Sequence, residues 1–263
     1  MDEVGQRARG KRLLAVDTTT LFASLALCED GAALVELTVR TRVAHSESLL
    51  ADVDGLLRRV GWTLADLDGF GVAIGPGSFT GVRIGLTTAR TLAWTLARPL
   101  VGVGSLQVLA AGAPGRPGLV ATAIDARKGE VYLAAWRTDG AGPPREVLAP
   151  AVLPPADALA RLAGAPREAG EPIWLLGDGA TRYPDVLRDG ALADLRVAPA
   201  VDHRPRAANL GAMAHAALAA AGWQADPKAV VPLYVRPSEA ELAHRRRASG
   251  NVDAPLGVGS RES

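Results

Sequence analysis

Two stretches, Leu13-Leu-Ala-Val-Asp-Thr-Thr-Thr20 and Leu119-Val-Ala-Thr-Ala-Ile-Asp-Ala-Arg127, share one plan. An apolar run ends at an aspartate, Asp17 or Asp125, and a tight turn leads into a second apolar run, Phe22 to Cys28 or Glu130 to Arg137. Short apolar runs bounded by turn residues read as buried strands. The two aspartates lie 108 residues apart, so the pattern predicts a weak internal repeat, two lobes each opening with a strand, an aspartate and a hairpin.

Around the first copy, Glu29-Asp30-Gly31 predicts a hairpin turn into a third strand, Ala32 to Val39. Leu49, Val53, Leu56, Leu57 and Val60 then recur at helical spacing, with His45 or Ser46 as cap and Gly61 as stop. Leu67 to Ile74 reads as a buried strand. The glycine-rich turn Gly75-Pro-Gly-Ser-Phe-Thr-Gly81 opens a long helix that Pro99 cannot continue, and Leu100 to Val103 is a short strand. Gly112-Ala-Pro-Gly-Arg-Pro-Gly118 is too rich in backbone breakers to hold a periodic element and reads as a linker. Beyond the second hairpin, loops are expected at 138–145 and 164–172. Helices are expected near 154–163, 181–188 and 207–221, and a strand at 173–176 before the turn Gly177-Asp-Gly179. The implied division is a first lobe at 11–111, a second at 118–225 and a tail at 226–263, with 1–10 a loose arm and 249–263 disordered.

Composition removes several function classes. At 48% hydrophobic the chain is no disordered segment. A formal net charge of +1 argues against a nucleic-acid or anionic-membrane binder acting through bulk charge. A single cysteine, Cys28, can form neither an internal disulfide nor a thiolate cluster, and its apolar neighbours predict a buried, inert thiol. The N-terminal residues hold no apolar stretch of signal-peptide length, and the apolar run 210–223 is too short for a membrane span, so a soluble cytoplasmic protein is expected.

Among the chemical motifs, the Gly75–Gly85 segment is the strongest. A strand feeding a glycine turn into a helix N-terminus can hold phosphate on backbone N–H groups, yet the Walker lysine is missing and the spacing is not G-x-G-x-x-G. A tight turn with close packing is the favoured reading. Gly81, Gly85, Ala89 and Ala93 make a smooth stripe fit for docking, against this chain's own sheet or a partner helix, and the stripe alone does not choose. Asp17 and Asp125 suit either paired acids of a nucleotide site or turn residues that bond their own backbone. His45, His203, His215 and His244 form no local metal spacing. No serine stands in a G-x-S-x-G turn; Ser78, in G-P-G-S-F, lacks the trailing glycine. A basic cluster, Arg236 with His244 and Arg245-Arg-Arg247, is diluted by Glu239 and Glu241 and reads as a solvated tail.

Taken together, Leu13-Leu-Ala-Val-Asp-Thr-Thr19, Gly75-Pro-Gly-Ser-Phe-Thr-Gly-Val-Arg-Ile-Gly85 with Pro99-Leu-Val-Gly-Val-Gly-Ser105, and Ile124-Asp-Ala-Arg-Lys-Gly-Glu-Val-Tyr132 resemble the TsaB (YeaZ) family. His45-Ser-Glu-Ser-Leu-Leu50, Gly177-Asp-Gly179 and Pro232-Leu-Tyr-Val-Arg236 support the resemblance, which runs from about residue 12 to 236. It implies an α/β fold of the actin/Hsp70/sugar-kinase (ASKHA) type, with two lobes each built on a mixed sheet flanked by helices. It implies an accessory subunit for tRNA N6-threonylcarbamoyladenosine formation, similar to the metal-bearing transferase TsaD but without its chemistry. Ser105 and Leu109 stand where that sibling carries an H-x-x-x-H metal pair, so no catalytic residue, metal or cofactor is expected.

The resemblance further implies pairing with a TsaD-type transferase through helices at about 45–60 and 79–97. Leu49, Val53, Leu56, Gly81, Gly85, Ala89 and Ala93 are the candidate contacts, and Gly55 thins the first helix. A TsaE-type ATPase joins such complexes, tRNA is met through the complex, and the isolated chain has scope for a homodimer through the same surface. Asp17, Gly75, Gly77, Asp125, Gly177 and Gly179 form a candidate nucleotide-site remnant. The alternative is an independent ATP-binding kinase or ATPase using those residues; a metallopeptidase is disfavoured by the missing histidine pair.

Overall fold

A computed structural model describes residues 9–40, 48–113, 116, 118–138, 143–188 and 190–236. The expected caps at His45 and Ser46, the basic cluster at 244–247, the 249–263 segment and most of the N-terminal arm lie outside the described residues.

The first half runs β1 (Arg12–Asp17), β2 (Phe22–Glu29), β3 (Ala32–Arg40), α1 (Leu49–Val60), β4 (Gly69–Ala73), α2 (Phe79–Thr95), β5 (Leu100–Val103) and α3 (Ser105–Ala110). The second runs β6 (Leu119–Arg127), β7 (Glu130–Arg137), β8 (Arg145–Leu153), α4 (Pro155–Ala163), β9 (Ile173–Leu176), α5 (Asp178–Arg182), β10 (Leu195–Val197) and α6 (Ala207–Ala220). Each half makes a five-stranded mixed sheet of the same order, β3-β2-β1-β4-β5 and β8-β7-β6-β9-β10. The first three strands of each are antiparallel neighbours and the last two run parallel to the first. This duplicated topology is an actin/Hsp70/sugar-kinase-like architecture. Asp30-Gly31 and Lys128-Gly129 both have positive φ, as two-residue hairpin turns that follow the twist of their strands require.

The repeat explains why β1 reads as continuously apolar, because both its faces are covered. Leu14 and Val16 face α1 and α2, with Phe70 and Val72 beside them. Leu13 and Ala15 face α6. The two halves also exchange helices. Leu106, Leu109 and Ala110 of α3 pack against Val120, Ile124, Tyr132 and Trp136 of the second sheet. Leu210 and Ala214 of α6 pack on the first sheet, over Ala15, Ala26 and Cys28.

That exchange corrects the expected grouping of α6 with the second lobe. The helix has no cap of its own. Ser24 Oγ on β2 accepts from Ala207 N (2.9 Å), Glu36 on β3 accepts from Ala208 N (2.9 Å), and Arg206 bonds the same carboxylate (2.6 Å). Gly71 lets the helix approach, since a Cβ there would lie 2.5 Å from Ala214 Cβ.

Other departures are local. Strands β8 and β10 and helix α3 appear where none was expected, β6 runs past Asp125 to Arg127, and α5 spans 178–182 rather than 181–188. Pro150 is accommodated in β8 because that strand lies at the sheet edge. Cys28 is fully buried, and burial pushes its thiol up to about 12, as expected of an inert cysteine.

Candidate functional site

In the first lobe, the turn after β1 and the glycine loop before α2 fill each other. Asp17 Oδ1 accepts from the backbone N–H and the hydroxyl of Thr19 (2.9 and 2.7 Å), the geometry of an aspartate bracing its own turn. Ser78 N–H donates to Thr19 O (2.7 Å), Thr18 Oγ1 donates to Gly81 O (2.7 Å), and Ser78 Oγ caps α2 by accepting from Gly81 N (3.2 Å). A Cβ at Gly77 would lie 2.2 Å from Thr19 O, one at Gly81 2.0 Å from Thr18 O, and one at Gly85 2.4 Å from Thr18 Oγ1. The glycines therefore admit the chain's own turn, and Ser78 and Gly81 spend their N–H groups internally. Gly75, at φ +103°, is fastened by mutual bonds with Ser105: Gly75 N–H to Ser105 Oγ at 3.2 Å and Ser105 N–H to Gly75 O at 2.8 Å.

The matching region of the second lobe is polar. Asp125 Oδ1 accepts from Arg127 N–H (2.9 Å), repeating the Asp17 turn, and also from the Tyr183 hydroxyl (3.2 Å). Its other oxygen meets the Arg127 guanidinium at 3.2 Å. Asp178 Oδ1 accepts from Asp125 N–H (3.0 Å). Burial raises the Asp178 carboxyl above the ordinary carboxylate range; the Asp125 N–H opposes that rise and the Asp125 charge adds to it. Burial, then the Asp125 carboxylate, raises the Tyr183 phenol. Gly177 N–H donates to His203 Nδ1 (3.0 Å), which requires an unprotonated ring nitrogen, and burial lowers that histidine's pKa. Gly177 and Gly179 lie against Ala123, where a Cβ would come within 2.0 and 3.0 Å of backbone. Asp178, Tyr183 and His203 escaped the sequence reading, because their partners are tens of residues away. Only the Gly-Asp-Gly turn hinted at them.

Helices α1 and α2 cover the first sheet, and the expected contact residues lie on their inward faces. Leu49, Val53, Leu56, Gly81, Gly85, Ala89 and Ala93 are all buried, most of them in the core formed with β1 and β4. A stripe of alternate turns faces either way on a helix, and here the sheet claims it. The outward faces carry Leu50 (59% exposed), Phe79 (50%) and Trp94 (70%), with the small or short Ala51, Gly55, Thr87 and Thr91 between them. A Cβ at Gly55 would meet nothing within 4 Å.

Ser105 and Leu109 are both buried, the serine bonded to Gly75 and the leucine packed on the second sheet. Neither offers the imidazole donor of an H-x-x-x-H pair. Among the described residues no three His, Cys, Asp or Glu side chains converge on a point that could hold a metal ion, and no helix is long and apolar enough to cross a membrane.

The family model of TsaD, tRNA N6-adenosine threonylcarbamoyltransferase, matches residues 40–244. A tRNA threonylcarbamoyladenosine biosynthesis protein TsaB from Bacillus subtilis is 33% identical over 229 residues, 87% of this chain and 96% of the relative. The TsaB of Escherichia coli is 38% identical over 189 residues, 68% of this chain and 79% of the relative. The solved structure of YeaZ from Pseudomonas aeruginosa superposes with a TM-score of 0.71 at 30% identity, covering 85% of this chain and 99% of that one.

Proposed function

The chain belongs to the TsaB family, and from that premise we propose that it is a non-catalytic accessory subunit that binds and organises a TsaD-type transferase. Its pathway is tRNA threonylcarbamoyladenosine biosynthesis, the process its relatives are named for. The carrying observation is the use made of Ser105 and Leu109, which the resemblance sets at the sibling's metal-ligand positions: here they serve as a turn fastener and a core side chain. The first-lobe glycine loop supports the same reading, because Gly77, Gly81 and Gly85 lie against Thr18 and Thr19, Ser78 caps the helix and Ser105 fastens Gly75.

The transferase docks on the outward faces of α1 and α2. Leu50, Phe79 and Trp94 supply apolar anchors, and Gly55, Thr87 and Thr91 let a helix approach closely. A TsaE-type ATPase completes the assembly, tRNA is met through it in the cytoplasm, and a homodimer through the same faces is the alternative occupant when the transferase is absent. Co-purification with the TsaD-type partner tests this. Gly55→Arg, whose Cβ would enter open space, is expected to stay folded and lose the partner; a folded variant that still pairs removes the docking face. Calorimetry of the isolated chain with ATP·Mg tests the non-catalytic assignment, and micromolar affinity with turnover would overturn it in favour of an independent kinase or ATPase.

A further inference from the structure

We infer that residues 226–236 form a strap that holds the two lobes at a set angle and walls one side of the cleft between them, and that its releasable end is the Arg236–Glu130 contact.

The segment follows α6 in sequence and is anchored first on the half of the chain that contains β1 to β5. Lys228 Nζ lies over the Trp94 ring, 5.3 Å from its centre. The Arg90 guanidinium donates to Val230 O, and Val230 fills the space over Gly102 of β5, where a Cβ would lie 2.8 Å from it. Leu233 N–H donates to Ile74 O (2.8 Å), just past β4. Tyr234 stacks at a tilt on Phe79 (5.7 Å), and its hydroxyl receives the Arg83 guanidinium at 3.4 Å. One or two residues later the chain is held by the other half. Val235 joins the cluster that contains Tyr132 and Trp136, and Arg236 donates to Ala126 O (3.0 Å) and pairs with Glu130.

Between these anchors Leu233 borders a half-open cleft of about 340 Å³. Its other walls are Pro76 and Gly104 from the first half, Leu106 and Gln107 of α3, and Trp136, Glu146 and Pro150 from the second sheet.

The two ends of the strap differ in kind. The first-lobe end has two hydrogen bonds to or from its backbone, a side chain packed over Gly102, one cation–aromatic and one aromatic pair, and a hydrogen bond to the Tyr234 hydroxyl. The second-lobe end has one apolar side chain, and its polar contacts all run through the Arg236 guanidinium, which donates to Ala126 O and pairs with Glu130, both members of the pair a quarter to a third exposed. Partly solvated pairs contribute little and open at small cost, whereas the apolar and backbone contacts persist. Opening at Arg236 frees the lobes from this tie while both sheets stay intact, because neither core contains the pair.

Hydrogen exchange on the full chain tests the strap itself. Arg236→Ala is expected to accelerate exchange about tenfold in 235–236 and in the 125–131 turn, leaving 230–233, β1 and β2 unchanged. Glu130→Gln keeps an acceptor without the charge, folds without new strain, and is expected to give a smaller change in the same two segments. Unchanged exchange there in both variants, or equal acceleration throughout the chain, overturns the inference. The lobe angle has its own readout. Cys28 is inert, so cysteines placed at the exposed Thr87 and Ala160 accept spin labels selectively. The distance distribution between them is expected to broaden in Arg236→Ala, and an unaltered distribution beside a released strap refutes control of the angle.

Discussion

The two lobes have one strand order and opposite treatment of the space beyond their first strand. In the first, a helix of 17 residues caps itself on Ser78 and presses glycines onto the Thr18–Thr19 turn. In the second, the corresponding helix has 5 residues, and the space holds Asp125, Asp178, Tyr183 and His203 bonded to one another or to backbone. A duplicated topology thus carries one end closed by backbone contact around Asp17 and one end that adds Asp178, Tyr183 and His203 to its aspartate. Aspartates at the same strand position share a turn geometry, while their further partners differ.

The contrast breaks most severely at Gly81. In an ordinary helix Gly→Ala gains stability, but here the new Cβ lands on Thr18 O, and Gly81→Ala is expected to cost about 3 kcal/mol or more in urea denaturation. Gly129, in the second-lobe hairpin, has open space around it, so Gly129→Ala pays only for its positive φ, about 1 kcal/mol. By the same reasoning Gly85→Arg unfolds the first lobe and says nothing about docking, which is why Gly55 is the informative site. Next in size is Ser24→Ala, which strips a cap from α6 at a cost of about 1–2 kcal/mol and speeds exchange in 207–220 ahead of the second sheet.

The titratable end answers to pH. His203 has a folded pKa below the ordinary 6.5, so its contribution is complete above 6.5 and is lost as pH falls from there through the lowered folded value. The loss is expected to be about 1 kcal/mol, comparable to the Gly177 hydrogen bond, and absent in His203→Asn. Asp178 has the opposite sign. Its folded pKa is raised above 3.8, so its favourable contribution holds below 3.8 and disappears as pH rises through the folded value. Denaturation at neutral pH is therefore expected to find Asp178→Asn at least as stable as the parent. The smallest effect is expected at Gly55→Ala, which gains up to about 1 kcal/mol of helix propensity at an open position.

Legibility followed the range of the forces involved. The hairpins at Asp30-Gly31 and Lys128-Gly129, the α1 face and its stop at Gly61 were readable, because turn chirality and helical spacing are local. The β8 strand was hidden by Pro150, tolerable only at an edge, and β10 by its length of 3 residues. For the candidate site, the motif residues were found but their orientation was not. The Gly81-to-Ala93 stripe looks the same whether a sheet or a partner covers it.

What the amino-acid order determined alone was the pair of strand–aspartate–hairpin units, the helices between them and the lack of imidazole at positions 105 and 109. Those depend on neighbours within a few residues. Only the folded chain decided that α3 and α6 would cross to the opposite sheets, that Ser24 and Glu36 would cap a helix 183 and 172 residues away, and that the smooth stripe would turn inward. These choices rest on burial and on satisfying backbone groups across the whole chain, and no local window contains both partners.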